Sequence, residues 1–246
     1  MKKYITIAAL AAAGAICANA EDAVVLTTTF GKANQTNFED VTLSVSGIEG
    51  VTADLTALNV NPTGSSTTGD LKNIGAAGTD GSVLTPNSNV GNGYPWSASF
   101  EYDWALADIE IATLKGLSLD VVLFGNTGDY QSSYASWDGD ITFTATIFDL
   151  YDSATQLGVF QATLAPGNGK GATPFEVTFN FNEDVNLSGV EGIKMNLVLT
   201  ETLSAGSFVG LKNIEATVST IPEPSMFGLL AGLGALALVG TRRRRK

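Results

Sequence analysis

Trp96, Ala98, Phe100, Tyr102 and Trp104 alternate with Ser97, Ser99, Glu101 and Asp103, and Phe175, Val177, Phe179 and Phe181 alternate with Glu176, Thr178, Asn180 and Asn182. A strict period of two places every apolar side chain of a run on one face of a pleated strand, whereas a helix would spread the same residues around its circumference. Further alternating or β-rich runs cover Val41–Ile48, Val51–Val60, Leu117–Phe124, Ile141–Phe148, Ile193–Thr200 and Phe208–Val218. About nine or ten strands are predicted, with no long amphipathic helix among them.

Strands at this spacing, joined by Gly, Asn and Asp turns and without crossover helices, predict an all-β fold: an antiparallel two-sheet sandwich, jelly-roll-like, with a barrel as the alternative. The stretch from Asn61 to Pro95, rich in Gly, Ser, Thr, Asn and Pro, reads as a long surface excursion with room for a short strand at Val83–Leu84. Leu71-Lys-Asn-Ile is echoed by Leu211-Lys-Asn-Ile, and Leu114-Lys-Gly-Leu faintly by Val190-Glu-Gly-Ile. Two copies do not make a solenoid, so the plainer reading is that turn-and-strand units recur in any sandwich.

Hydrophobic residues make up 44% of the chain and charged ones 15%, so a core is available while surface polarity must come from Thr, Ser, Asn and Gly. Seven of the 13 basic residues lie at the two termini, leaving six in residues 21–220 against 24 of the 25 acids, a net charge of −18. Such a body repels nucleic acid. The chain has no His and residues 21–220 have no Arg, which removes imidazole chemistry and bidentate phosphate clamps. Cys17 is the single cysteine.

Residues 1–20 read as a signal peptide, with basic Lys2 and Lys3, an apolar stretch from Ile5 to Cys17, and Ala18 and Ala20 as the small residues accepted by signal peptidase. The alternative, a lipoprotein anchor on Cys17, places Ile16 where such signals need a small residue. Residues 21–220 form the expected body. Residues 221–246 form a tail: Ile221-Pro-Glu-Pro-Ser225, an apolar run from Met226 to Thr241, then Arg242, Arg243, Arg244, Arg245 and Lys246. Prolines at 222 and 224 oppose helix and strand pairing. The 16-residue run, at about 1.5 Å per residue, spans about 24 Å as a helix, and snorkelling arginines extend its reach toward the roughly 30 Å hydrocarbon core. The basic cluster should stay cytoplasmic, which places the body beyond the inner membrane.

Pro222-Glu223-Pro224, the Gly- and Ala-rich span and the arginine cluster together resemble the PEP-CTERM sorting domain. The resemblance implies recognition of Pro222, Glu223 and Pro224 by an exosortase that cuts near them, with Arg242, Arg243, Arg244 and Arg245 as the stop signal. It also implies a bacterium that makes extracellular polysaccharide, and an exported, surface or extracellular protein only transiently anchored in the inner membrane. An ordinary C-terminal anchor is the alternative.

In the body, Asp138 and Asp140 are a carboxylate pair of the kind used in glycoside hydrolysis, but acids are abundant and strand-end Asp commonly caps turns, so no catalytic residue is assigned. Asp129, Asp138 and Asp140 are weak candidates for Ca²⁺, because the D-x-[DN]-x-[DN]-G loop is absent; no cofactor is expected. Tyr130, Tyr134 and Trp137, set among Ser, Gly and Asp, offer flat faces and polar tips suited to a glycan, or else close one end of the core. The expectation is a non-catalytic surface or matrix protein associated with extracellular polysaccharide. The alternative is a carbohydrate-binding module or a carboxylate-dependent glycoside hydrolase.

Overall fold

The computed structural model describes residues 22–31, 40–60, 69–73, 82–86, 95–107, 109–125, 140–165, 175–181, 184–201 and 207–221. They hold thirteen strands: β1 (Asp22–Gly31), β2 (Thr42–Ser46), β3 (Thr52–Val60), β4 (Gly69–Asn73), β5 (Ser82–Pro86), β6 (Trp96–Asp103) and β7 (Glu110–Gly125), then β8 (Ile141–Asp149), β9 (Gln156–Leu164), β10 (Phe175–Phe181), β11 (Val185–Asn186), β12 (Gly192–Glu201) and β13 (Ser207–Ile221). No α-helix occurs among the described residues.

One sheet has the order β10-β7-β13-β1-β2, with β11 beside β7 and the β4–β5 hairpin beside β13; the other has the order β3-β6-β12-β8-β9. All pairings are antiparallel. The strand pairs β1 with β13, β6 with β12, β7 with β10 and β8 with β9 are nested in the chain and alternate between the sheets in pairs. That winding of one long antiparallel ribbon is the jelly roll expected from the strand pattern. Gly47, at φ +118°, turns β2 of one sheet into β3 of the other, and a Cβ there would collide with the carbonyl of Val25.

The core lies between the sheets. Phe100 of β6, Phe143 and Ile147 of β8 and Leu197 of β12 face Leu119 and Val121 of β7 and Leu211 and Ile214 of β13, all fully buried. Strand β6 opens on one tryptophan and is followed directly by another: Trp96 Nε1 donates to the Val209 carbonyl at 3.2 Å and Trp104 Nε1 to the Val190 carbonyl at 2.8 Å. Both indoles thus bury their rings while keeping the N–H bonded. At the start of β12, Gly192 is buried against Tyr102 and Leu150, and a Cβ would lie 2.8 Å from the Tyr102 carbonyl oxygen.

Strand β7 reaches back to Glu110, well before the expected start at Leu117. Its residues in the core between the sheets are Ile111, Leu114, Leu117, Leu119 and Val121, so the period of two on that face holds only in the second half. The register against β13 skips Lys115 and Ala112, two bulges that each turn the alternation over. A third skip, at Lys212, separates core residues Leu211 and Ile214. In the stretch from Asn61 to Pro95 the short strand expected at Val83–Leu84 is β5, with both residues fully buried, whereas β4 corrects the reading of the rest as a surface excursion. The echoed segments hold equivalent places, because Leu84 pairs with Leu71 on one side and with Leu211 on the other.

Tyr102 sits in the core, where the Thr28 hydroxyl of the opposite sheet donates to its phenolic oxygen at 3.3 Å. Burial pushes this phenol far above its ordinary value of about 10, and the Thr28 bond offsets the shift only in part. Above pH about 10 the unfolded chain loses this proton while the folded chain keeps it, so the stabilisation is complete below pH 10 and declines as pH rises beyond it. Tyr102→Phe should cost about 1 kcal/mol at neutral pH. It should also flatten the alkaline decline by up to about 1.4 kcal/mol per pH unit, as read from denaturant midpoints between pH 8 and 11.5.

Candidate functional site: the tail-bearing end

Strand β13 lies at the middle of its sheet, between β7 and β1, and runs to the point where the tail begins. Near its end, Thr220 pairs with Asp22 of β1 and with Ile111 of β7, and Ile221 pairs with Glu110. Thr220 is only 2% exposed. The two ends of the body therefore leave side by side, at one pole of the sandwich, and Pro222 follows the last paired residue directly.

The same pole carries the turns at 47–51, 104–107, 150–155 and 187–191. Two of them are capped by carboxylates and a third by the Asn186 amide, whose Oδ1 accepts the Ser188 N–H at 3.0 Å. Asp103 Oδ1 accepts the Ala105 N–H at 2.9 Å, and Asp149 Oδ1 accepts the N–H groups of Tyr151 and Asp152 at 2.9 and 3.2 Å. Tyr151 donates its hydroxyl to Asp103 Oδ2 at 2.7 Å, and this bond, ahead of the charges of Asp103 and Glu191, holds its phenol above the ordinary value. Leu106, at the tip of the β6–β7 turn, is 93% exposed.

Asp140 is exposed and immediately precedes β8, which places it at the opposite pole. Asp129, Tyr130, Tyr134, Trp137 and Asp138 lie outside the described residues, as do Ala18, Ala20, Pro222, Glu223, Pro224 and Arg242 to Arg245. Gly125 and Asp140, which flank the aromatic segment, are both at the pole opposite the tail. No group of three or more acidic or cysteine side chains able to hold a metal ion occurs among the described residues. Between the sheets, a cavity of about 20 Å³ is lined by apolar side chains including Leu26, Trp104, Ile147 and Met195. It offers room for roughly one water without polar partners for it, and falls far short of the roughly 300 Å³ of a ligand pocket.

The outer face of the five-stranded sheet bears hydroxyl and amide side chains together with exposed Val159 and Val198, and its charges Asp54, Glu101, Asp103 and Lys194 gather toward the tail-side end. Ser99 Oγ bonds Asn196 Oδ1 at 2.9 Å, Gln161 Nε2 donates to Thr144 Oγ1 at 3.2 Å, and the hydroxyls of Thr142 and Thr163 lie 2.8 Å apart. Lys194 pairs with Glu101 at 2.9 Å, both half-buried, near its tail-side end. The period-two pattern marks these residues as outward-facing, but which of them are neighbours depends on register.

No curated protein matches the chain. Among solved structures, the carbohydrate-binding module TmCBM27, described by its specific mannan recognition, is 10% identical with a TM-score of 0.35, over 78% of this chain and 98% of that one. The tailspike protein 4 enzymatically active domain of bacteriophage CBA120 is 9% identical with a TM-score of 0.34, over 75% of this chain and 21% of that one. A family 11 carbohydrate-binding module from Clostridium thermocellum is 13% identical with a TM-score of 0.27, over 77% and 95%. Likenesses this distant say nothing of function. Residues 220–245 match the PEP-CTERM protein-sorting motif. The chain thus carries a PEP-CTERM sorting tail, and the first two residues of the matched motif are the last two of β13.

Proposed function

We propose that this is an exported, non-catalytic surface or extracellular-matrix protein, held at the inner membrane by its tail until an exosortase-type enzyme acts near Pro222-Glu223-Pro224. The observation that carries the reading is the match over residues 220–245, which takes in the proline motif, the apolar run and the arginine cluster in one order. A leader cut after Ala20 supports it, since the mature chain would then start at Glu21, one residue before β1. The absence of His from the chain and of Arg from the body supports a structural role over catalysis. The full chain, expressed in a strain with an active sorting enzyme, should yield a released form whose intact mass starts at Glu21 and lacks the arginine cluster. A released or membrane-bound chain still ending at Lys246 would refute the reading.

A second reading, contact with extracellular polysaccharide, is favoured by the broad hydroxyl- and amide-bearing face of the five-stranded sheet. With a body charge of −18, the partner would be a neutral polymer rather than an acidic one. Residues 21–220 should be retarded in gels containing neutral but not acidic polysaccharide, and equal mobility in both would remove this reading.

A further inference from the structure

The sorting motif does not hang from a linker: it begins inside the fold. Its first matched residue, Thr220, is buried and is held in the ladder by β1 on one side and β7 on the other. Ile221 remains paired with Glu110, and Pro222 is the next residue. On the other side, five residue steps separate Ile221 from Met226, the first residue of the apolar run, at most about 18 Å of chain. While the tail is in the membrane, the tail-bearing pole is therefore confined close to the bilayer.

Enzymes that cut or transfer a peptide bond take several residues of extended, unpaired backbone into their site, on both sides of the bond. Here Thr220 is paired with both neighbouring strands, and Ile221, directly before Pro222, is still paired with Glu110 of β7. From these two facts, and resting on the sorting role proposed above, we propose that the folded body gates its own processing: the enzyme can seat the motif only when the end of β13, Thr220 and Ile221, is released from β1 and β7. Strand ends open locally far more easily than the whole domain, so the gate slows processing without forbidding it. Processing then follows the small population in which this end is open.

The test uses the full chain in cells with an active sorting enzyme. Placing Gly-Ser-Gly-Ser-Gly-Ser between Ile221 and Pro222 leaves the sequence of the body intact and supplies unpaired chain before the motif. It should shorten the pulse-chase half-time of processing by about tenfold. A disulfide between register partners, in Asp22→Cys with Thr220→Cys, should slow processing severalfold in its oxidised form and release it on reduction. The linker added to the locked variant should restore fast processing, which shows that a slow locked variant is folded and exported. If the wild type is cut and neither linker nor lock alters its rate, the gate is wrong while the sorting role stands. If neither the wild type nor the linker variant is cut at all, the sorting role fails and the gate with it.

Discussion

Replacing Pro222, Glu223 and Pro224 together with alanine is expected to leave export intact and to abolish release, so that the body accumulates in the inner-membrane fraction with its tail attached. On the sorting role proposed above, export would depend on the leader at residues 1–20, which the change does not touch. The apolar run from Met226 to Thr241 and the arginine cluster, unchanged in this variant, would still supply the proposed span and its stop signal. On that proposal, only the feature that the processing enzyme would read is lost. Deleting Arg242 to Lys246 should have a different outcome, because a short span without flanking cations loses its orientation signal, and less of the protein should be found at the membrane. An ordinary anchor would respond to the second change and not to the first, so fractionation with intact mass of both variants separates the two cases.

Phe100→Ala is expected to be the most damaging single change in the body, costing about 3 to 5 kcal/mol. Phe100 has no exposed surface, and its ring centroid lies 6.1 Å from that of Phe30, across the gap between the sheets. Its removal forfeits the transfer of a large side chain and leaves a void that two hydrogen-bonded sheets cannot collapse into. Against a typical domain stability of about 5 to 15 kcal/mol, that loss is a large share of the total. Equilibrium denaturation of residues 21–220 should show a strongly lowered midpoint with an unchanged slope, and a midpoint near that of the wild type would mean that the two sheets do not pack through this residue.

How legible each strand is follows from its surroundings. Strands β6 and β8 lie inside their sheet, face the core with alternate residues, and each pair with β12 without a register shift, so their alternation is complete in the sequence. β1 is blurred because Thr28 occupies a core position between Leu26 and Phe30, where the partner that makes a hydroxyl tolerable is Tyr102 of the other sheet. β9, at an edge, turns Phe160, Ala162 and Leu164 inward and Val159, Gln161 and Thr163 outward, and it is the apolar Val159 on the outer face that blurs the alternation in the sequence. β4, Gly-Asp-Leu-Lys-Asn, has no strand-like composition at all and is ordered by pairing with β5. The first half of β7 is hidden by its two bulges, which break the period that would reveal it.

By itself the sequence determined the class of fold, since alternation is a local property of each strand, and it determined the sorting tail, since that signal is a linear order of prolines, apolar residues and arginines within 26 residues. It also set the acidic, His-free character of the body. Only the tertiary structure decided which strands are neighbours, that Tyr102 meets Thr28, and that Leu84 stands between the two echoed segments. Above all it decided that the sorting motif starts in a paired central strand. That placement depends on Asp22 and Thr220, from opposite ends of the body, meeting in one ladder, and no local pattern in a chain specifies which distant strand will share its hydrogen bonds.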